Sequence, residues 1–454
     1  MSETTDALSS STRSVTDAAL RQRVTDAVDR LAPRLVESLS AAVRIPSINP
    51  KYPGQDYDTH VGREGEVSAL VGELYREAGA AVQLVAVEPG RDNACGRITG
   101  AGGGRSLLLN GHVDVVPANA AKWGEDPFSG RISDTAVHGR GATDNKGGVI
   151  AAAFAALALA EAGVRLRGDL VLQAVVGEEV GDHECGTTAA VRAGYGADAA
   201  IVVEPSNFGE GDPNLGTSTP GGLVFKVEIE GKTAHSSLAG LTIHPTLRGE
   251  SLGVNTIDKY WIVYSALRGL ELRWALTDRH ADYVPGYFSI LPGVLEAHPV
   301  GFRVPFAHPD ELTVEYCVSH HPDRTNEEVV AEVEAVIAAA CATDAWLTAH
   351  PPVITWSLLW PPYRSPAELD LIPALVEAHS EAIGAADGSR PPVREGFFGL
   401  CDATWLEEEG IPGVIYGPGV AVTAHAEEEY VPIHQLITAA KTYALTAMGY
   451  CGVA

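Results

Sequence analysis

What this chain of 454 residues lacks is positive charge, closely spaced cysteine and long apolar runs. Lys plus Arg total 32 against 59 Asp plus Glu, for a formal charge of −27. A surface of that sign repels phosphate backbones and anionic membrane faces, so neither nucleic acid nor membrane is an expected partner. Six cysteines, at 95, 185, 317, 341, 401 and 451, are scattered with no close pair. That spacing argues against a thiolate zinc site and a disulfide framework, and fits reduced thiols in a cytoplasm. The longest apolar run, Val149 to Ala160, stops at Glu161, short of the ~20 residues that span a bilayer. It reads as a buried Ala-rich helix. Met1 to Asp17 is polar and Ser/Thr-rich, without the basic start and apolar core of a secretory signal.

What is present is an ordinary globular composition, 45% apolar and 20% charged, in a chain longer than the roughly 250–300 residues at which one core stops growing. Two domains are the expectation. Helical spacing runs from Arg21 to Val43 and from Glu64 to Gly79, and short apolar strands then alternate with helices, the pattern of an α/β domain with a mostly parallel central sheet. The key strands are Ser106–Asn110, Leu170–Val176, Ala199–Val203 and Gly413–Tyr416. Residues 218–342 differ: Leu223, Phe225, Val227 and Ile229 alternate, and a helix follows at Asn255–Trp274. A strand through Leu312, Val314 and Tyr316 and a helix at Glu327–Ala340 complete the pattern of a smaller inserted α+β domain. Residues 1–217 and 343–454 then form the larger domain, with Pro351–Pro352 and Pro361–Pro362 marking the return.

Each key strand runs into potential ligands, and open α/β sheets collect ligands just beyond the carboxyl ends of their strands. After the first comes His112, with Asp114 two residues on; an imidazole binds zinc well, and such a carboxylate can accept its second N–H. The Gly-rich loop Gly139–Gly148 lacks phosphate-loop spacing and presents Asp144 instead, a carboxylate suited to bridging two ions. Glu178 and Glu179 follow the Leu170–Val176 strand. Adjacent acids there are costly without compensating charge, and one can bind metal while its neighbour takes a proton from water. Glu204 follows the third strand and His425 comes after the fourth. Two histidines and three carboxylates, one shared, give each ion three protein ligands, and three carboxylates with a hydroxide balance two dications. The active site read this way is that of a metal-dependent hydrolase holding two divalent ions.

The segments GHVDVVP, GRGATDNKGG, GEEVG, VVEPS, FKVEIEGKTAHSS and CDATWLEEEGIPGVIYGPG, with His425, resemble the M20 metallopeptidase and deacylase family over nearly the whole chain after the leader. The resemblance implies a zinc-peptidase-like catalytic domain with an inserted dimerisation (lid) domain, and a homodimer. It implies that Asp144 bridges the ions, His112 and Glu204 hold one, and Glu179 and His425 hold the other. Glu178 would be the general base and later proton donor, with Asp114 supporting His112. His235 would stabilise the oxyanion at a neighbouring subunit's site, and Asn255 would contact substrate. Zinc is the default metal, with cobalt or manganese compatible with the same donors. The expected reaction removes an acyl group from an N-acyl amino acid or related amine, a small-molecule amide. A dipeptidase or carboxypeptidase would share every ligand, and a non-catalytic binding relative is the alternative from another class. Pro292-Gly293-Val294-Leu295 and Glu315-Tyr316-Cys317 depart from the family pattern where selectivity is expected, and His320, His321 and Arg303 read as solvated loop residues.

Overall fold

In a computed structural model the described residues are 3–242, 252–385 and 390–454. They divide into a larger unit, Met1–Thr217 with Ser365–Phe397 and Cys401–Ala454, and a smaller one, Ser218–Arg364 with Phe398–Leu400.

The larger unit is built on a sheet whose order is Ala81–Ala86, Asp92–Ile98, Leu170–Val175, Leu107–His112, Ala199–Val202, Gly413–Ile415, Leu215–Gly216 and Arg394–Glu395. Its four central strands are mutually parallel, and these are the four read from sequence. Residues 107–112, 170–175 and 199–202 are buried throughout. Continuous apolar runs of this kind are what strands covered on both faces require. The Ala-rich helix Lys146–Glu161 is buried from Lys146 to Leu159 and packs against helices Glu3–Val43 and Ile433–Cys451. Among the described residues no helix is long and apolar enough to cross a membrane.

Two glycines allow this packing. A Cβ on Gly148 would lie 2.1 Å from the Val203 carbonyl oxygen, and one on Gly111 2.5 Å from Val203 Cγ2. Neither position tolerates a side chain without backbone movement, so the first turn of the Ala-rich helix and the end of the His112 strand both close on the residue before Glu204.

The smaller unit has an antiparallel sheet in the order Ser289–His298, Glu311–His320, Gly221–Glu230, Val353–Trp360. Leu223, Phe225, Val227 and Ile229 pack with Leu312, Val314 and Tyr316 under helices Thr256–Thr277 and Asn326–Cys341, as the period-two pattern requires. The return to the larger unit comes at Ser365, not at residue 343. The reason is the strand Val353–Trp360, which pairs with Gly221–Glu230 at the sheet edge. The prolines on both sides, read as the return to the larger domain, flank an edge strand, where they are tolerated.

His320 also differs from its reading as a solvated residue. It is fully buried, with Nε2 against Asn326 Oδ1 at 2.9 Å and Nδ1 against the His321 carbonyl at 3.1 Å. A Cβ on Gly221 would stand 2.0 Å from that ring, so the glycine makes room for a structural histidine.

Phe225 is fully buried between the rings of Tyr316, 4.9 Å away, and Trp356, 4.6 Å away. Phe225→Ala is expected to remove about 3–5 kcal/mol from the stability of this unit. Urea unfolding followed by tryptophan fluorescence checks it, and a loss below about 1 kcal/mol would show that the stack is not a core element.

Candidate metal centre

Parallel strands deliver their carboxyl ends to one edge of the sheet, and the larger unit places its candidate ligands there. His112 is the last residue of its strand, and Glu178 and Glu204 follow theirs within three residues. Asp144 lies just ahead of the Ala-rich helix, and His425 follows the Gly413–Ile415 strand through a loop. The Glu178–Val180 turn is pinched between Gly177 and Gly181, both left-handed at φ 90° and 70°, which explains the GEEVG spacing: only glycine takes that conformation without strain. His425 itself has φ 60°, uncommon for a residue with a Cβ.

His112 Nε2 lies 3.0 Å from Asp144 Oδ1, 3.4 Å from Glu204 Oε1 and 3.8 Å from Glu178 Oε2. His425 Nε2 lies 2.9 Å from Glu179 Oε2 and 3.4 Å from Asp144 Oδ2. Two donor groups result, His112–Asp144–Glu204 and Asp144–Glu179–His425, each with its ligand atoms within 4.8 Å of one another. Asp144 belongs to both, one oxygen toward each imidazole. Glu178 stands beside them as an acid that neither group uses.

The charge balance points to a cation. Among the described residues these four carboxylates have no Lys or Arg ion partner; only the two imidazoles face them. Burial above all holds Glu178 well above the ordinary carboxylate value, and burial pushes Glu204 up to about 8. Burial works against a protonated His425, but Glu179 and Asp144 outweigh it and push the imidazole up to about 12. Glu179 Oε1 is buried without a hydrogen-bond partner. Imidazole and carboxylate donors, a strongly negative buried field and an unused ligand oxygen fit divalent metal ions.

His112 Nδ1 is 3.0 Å from the Asp114 backbone carbonyl and 3.5 Å from its carboxylate. The carboxylate also accepts from Asn49 Nδ2 at 2.8 Å and from the Glu179 N–H at 3.1 Å, so it holds the acidic turn in place. His235 and Asn255 lie in the smaller unit. His235 is exposed, with Nδ1 engaged by Ser237. Asn255 caps the Thr256–Thr277 helix, its Oδ1 accepting from Ile257 N–H at 2.9 Å; that role accounts for an asparagine there without a ligand.

Several supporting groups were missed by local spacing. Arg91, fully buried, makes a two-pronged pair with Glu64 at 2.8 and 3.0 Å and reaches Asp182 at 2.5 Å. The Asp182 N–H closes the acidic turn on the Gly177 carbonyl at 2.8 Å. Asn49 and Arg91 are remote in sequence from the turn they support, and no short motif announces them.

The description "Peptidase family M20/M25/M40" matches residues 108–449. A Bacillus subtilis N-formyl-4-amino-5-aminomethyl-2-methylpyrimidine deformylase is 32% identical over 402 residues, covering 86% of this chain and 89% of that protein. The deformylase of the same description from Halalkalibacterium halodurans is 31% identical over 360 residues, covering 76% and 79%. A Methylorubrum populi succinyl-diaminopimelate desuccinylase is 26% identical, covering 87% and 93%. The fold is shared with the di-peptidase Dug1p of Saccharomyces cerevisiae, at TM-score 0.72 and 17% identity over 95% of this chain and 98% of that one. It is shared too with the M20 family metallo-carboxypeptidase Sso-CP2 of Sulfolobus solfataricus, at TM-score 0.69 and 19% identity over 92% and 99%. Two histidine–carboxylate groups at the mouth of a parallel sheet thus sit in a chain that belongs to peptidase family M20/M25/M40, hydrolases of amide bonds that bind divalent metal.

Proposed function

We propose that this chain removes a small acyl group from the amine of a small molecule, with N-formyl aminomethylpyrimidines the foremost substrate class. The observation that carries the reading is Asp144 shared between two histidine–carboxylate groups with the spare acid Glu178 beside them. The acyl group is suggested by the two deformylases above 30% identity that align over most of both chains; the desuccinylase relatives also release an amine from an acyl amide by name.

In this reading His112 and Glu204 would hold one ion, Glu179 and His425 would hold the other, and Asp144 would serve both, with zinc the first candidate. When bound, the pair supplies an acidified water and charge stabilisation for the acyl oxygen. Glu178 takes the proton of the attacking water and passes it to the departing amine nitrogen. Asp114 fixes Glu179 through the backbone N–H of the acidic turn.

The assembly is a homodimer in this reading. Ile257, Trp261, Leu272 and Leu276 are exposed on one stripe of the Thr256–Thr277 helix, and Leu291, Val294 and Leu295 are exposed on the Ser289–His298 edge strand. Exposed apolar side chains lined up on one helix stripe are the kind of surface that marks an association site. His235 would then serve the neighbouring subunit, offering the ring nitrogen that Ser237 does not engage to the tetrahedral oxyanion. A cytoplasmic location is supported by six unpaired cysteines.

Purified protein assayed against N-formyl, N-acetyl and N-succinyl amines alongside dipeptides should show its highest kcat/KM with an N-formyl aminomethylpyrimidine. Activity confined to dipeptides would overturn the acyl reading. Glu178→Gln is expected to lower kcat by roughly 10²–10⁴-fold while metal analysis finds the same ion content; undiminished turnover would remove Glu178 as the base. Asp114→Ala should weaken metal affinity or activity by about 10–100-fold, measured by metal titration and steady-state kinetics, and wild-type values would show that the acidic turn needs no such support.

A further inference from the structure

Glu429 is fully buried and touches none of the candidate ligands' side chains through its own carboxylate, yet every oxygen of that carboxylate is used. Oε1 accepts from the backbone N–H groups of Gly141 at 3.0 Å, Thr143 at 2.9 Å and Asp144 at 3.1 Å. Oε2 accepts from Arg140 Nη1 at 2.5 Å. Three amides converging on one oxygen require a curled backbone, and Gly141 supplies the bend at φ 86°. The same loop is held at its edges: the Gly139 N–H donates to the Glu429 carbonyl at 2.8 Å, and Thr143 Oγ1 donates to the Tyr430 carbonyl at 2.6 Å.

The other end of this clasp leads to His425. Arg140 Nη2 donates to the carbonyl of Ala426 at 3.1 Å, the residue directly after His425. Glu429 itself follows His425 by four residues, directly before the strand Tyr430–Pro432 that pairs with Ala136–His138. One buried carboxylate and one buried guanidinium therefore tie together the loop that presents Asp144 and the segment that presents His425. Those two residues share one of the donor groups, with His425 Nε2 3.4 Å from Asp144 Oδ2.

We propose that Glu429 is a positioning residue that sets the placement of Asp144 relative to His425, and through it the cation affinity and ligand geometry of the centre. The inference rests on the metal-centre reading above. A charged acceptor is needed because hydrogen bonds to an ionised group are roughly twice as strong as neutral ones, and three amides must be held against the free motion of a glycine-rich loop. Glutamine would keep the shape but would turn an N–H₂ toward the Arg140 donors or lose the three amides.

The test compares wild type, Glu429→Gln, and the double variant Arg140→Met with Glu429→Gln, which leaves no lone buried charge and so remains folded where the single change does not. Leu375→Ala, a truncation at a fully buried position of the Leu371–Ala382 helix, shows the effect of lost stability alone. Each apoprotein is titrated with Co²⁺, reading ions per chain, affinity and the visible absorption of the bound ion, with thermal unfolding by circular dichroism alongside. The expected result is a loss of about 10–100-fold in Co²⁺ affinity and an altered visible band in the Glu429 variants, with Leu375→Ala lowering the unfolding temperature but keeping the wild-type band and affinity within threefold. Folded Glu429 variants with wild-type band and affinity overturn the inference and leave the metal-centre reading intact. Wild-type protein that takes up no Co²⁺ overturns both.

Discussion

Four carboxylates gathered in one desolvated pocket is the constraint to which the larger unit is fitted. Two unit charges of like sign 4 Å apart repel by about 4 kcal/mol at an effective dielectric constant of 20, and among the described residues the cationic partners of Asp144, Glu178, Glu179 and Glu204 are two imidazoles. Left to themselves, such groups would splay apart or take up protons. What prevents splaying is attachment: each acid is fixed to a strand end or a turn whose backbone is tied elsewhere. Asp114 holds the Glu179 N–H, the Arg91–Asp182 pair braces the same turn, and Glu429 grips the Asp144 loop. The scaffold thus stores a strong negative field, and divalent ions relieve it.

The sequence was most legible where chemistry and secondary structure coincide. The strands Leu107–His112, Leu170–Val175 and Ala199–Val202 are short apolar runs that stop at a ligand, so position in the sheet and function could be read from the same few residues. His425 was harder, because nine residues separate it from the end of its strand at Ile415, and only the demand of the other ligands singled it out. The supporting groups were not legible in that way. Asn49 reaches Asp114 and Glu429 reaches Gly141 across 65 and 288 positions of chain, and nothing in local periodicity encodes such partners.

Two readings failed for a related reason. Val353–Trp360 read as part of the larger domain because the prolines around it looked like the return to that domain, although its pairing with Gly221–Glu230 makes it a sheet edge of the smaller unit. His320 looked solvated because it ends a strand beside another histidine, although the absence of a side chain at Gly221 opens a buried place for its ring. In both cases the deciding neighbour lies about a hundred residues or more upstream. The smaller unit is otherwise an easy case, since alternation in one strand named the face that Tyr316 and the two helices cover.

The Gly413–Ile415 strand lies against Ala199–Val202, register Gly413 to Ala200, although the whole smaller unit intervenes in the chain. A nascent polypeptide leaving the ribosome therefore presents the edge of Ala199–Val202 bare, with Glu178, Glu179 and Glu204 already made, while more than two hundred further residues are still to be translated. Pairings of such sequence separation are slow to close and expose sheet edges meanwhile. The last imidazole of the centre and the strand that leads to it arrive together, more than two hundred residues after Glu204, so the centre can assemble only once that whole stretch has been made.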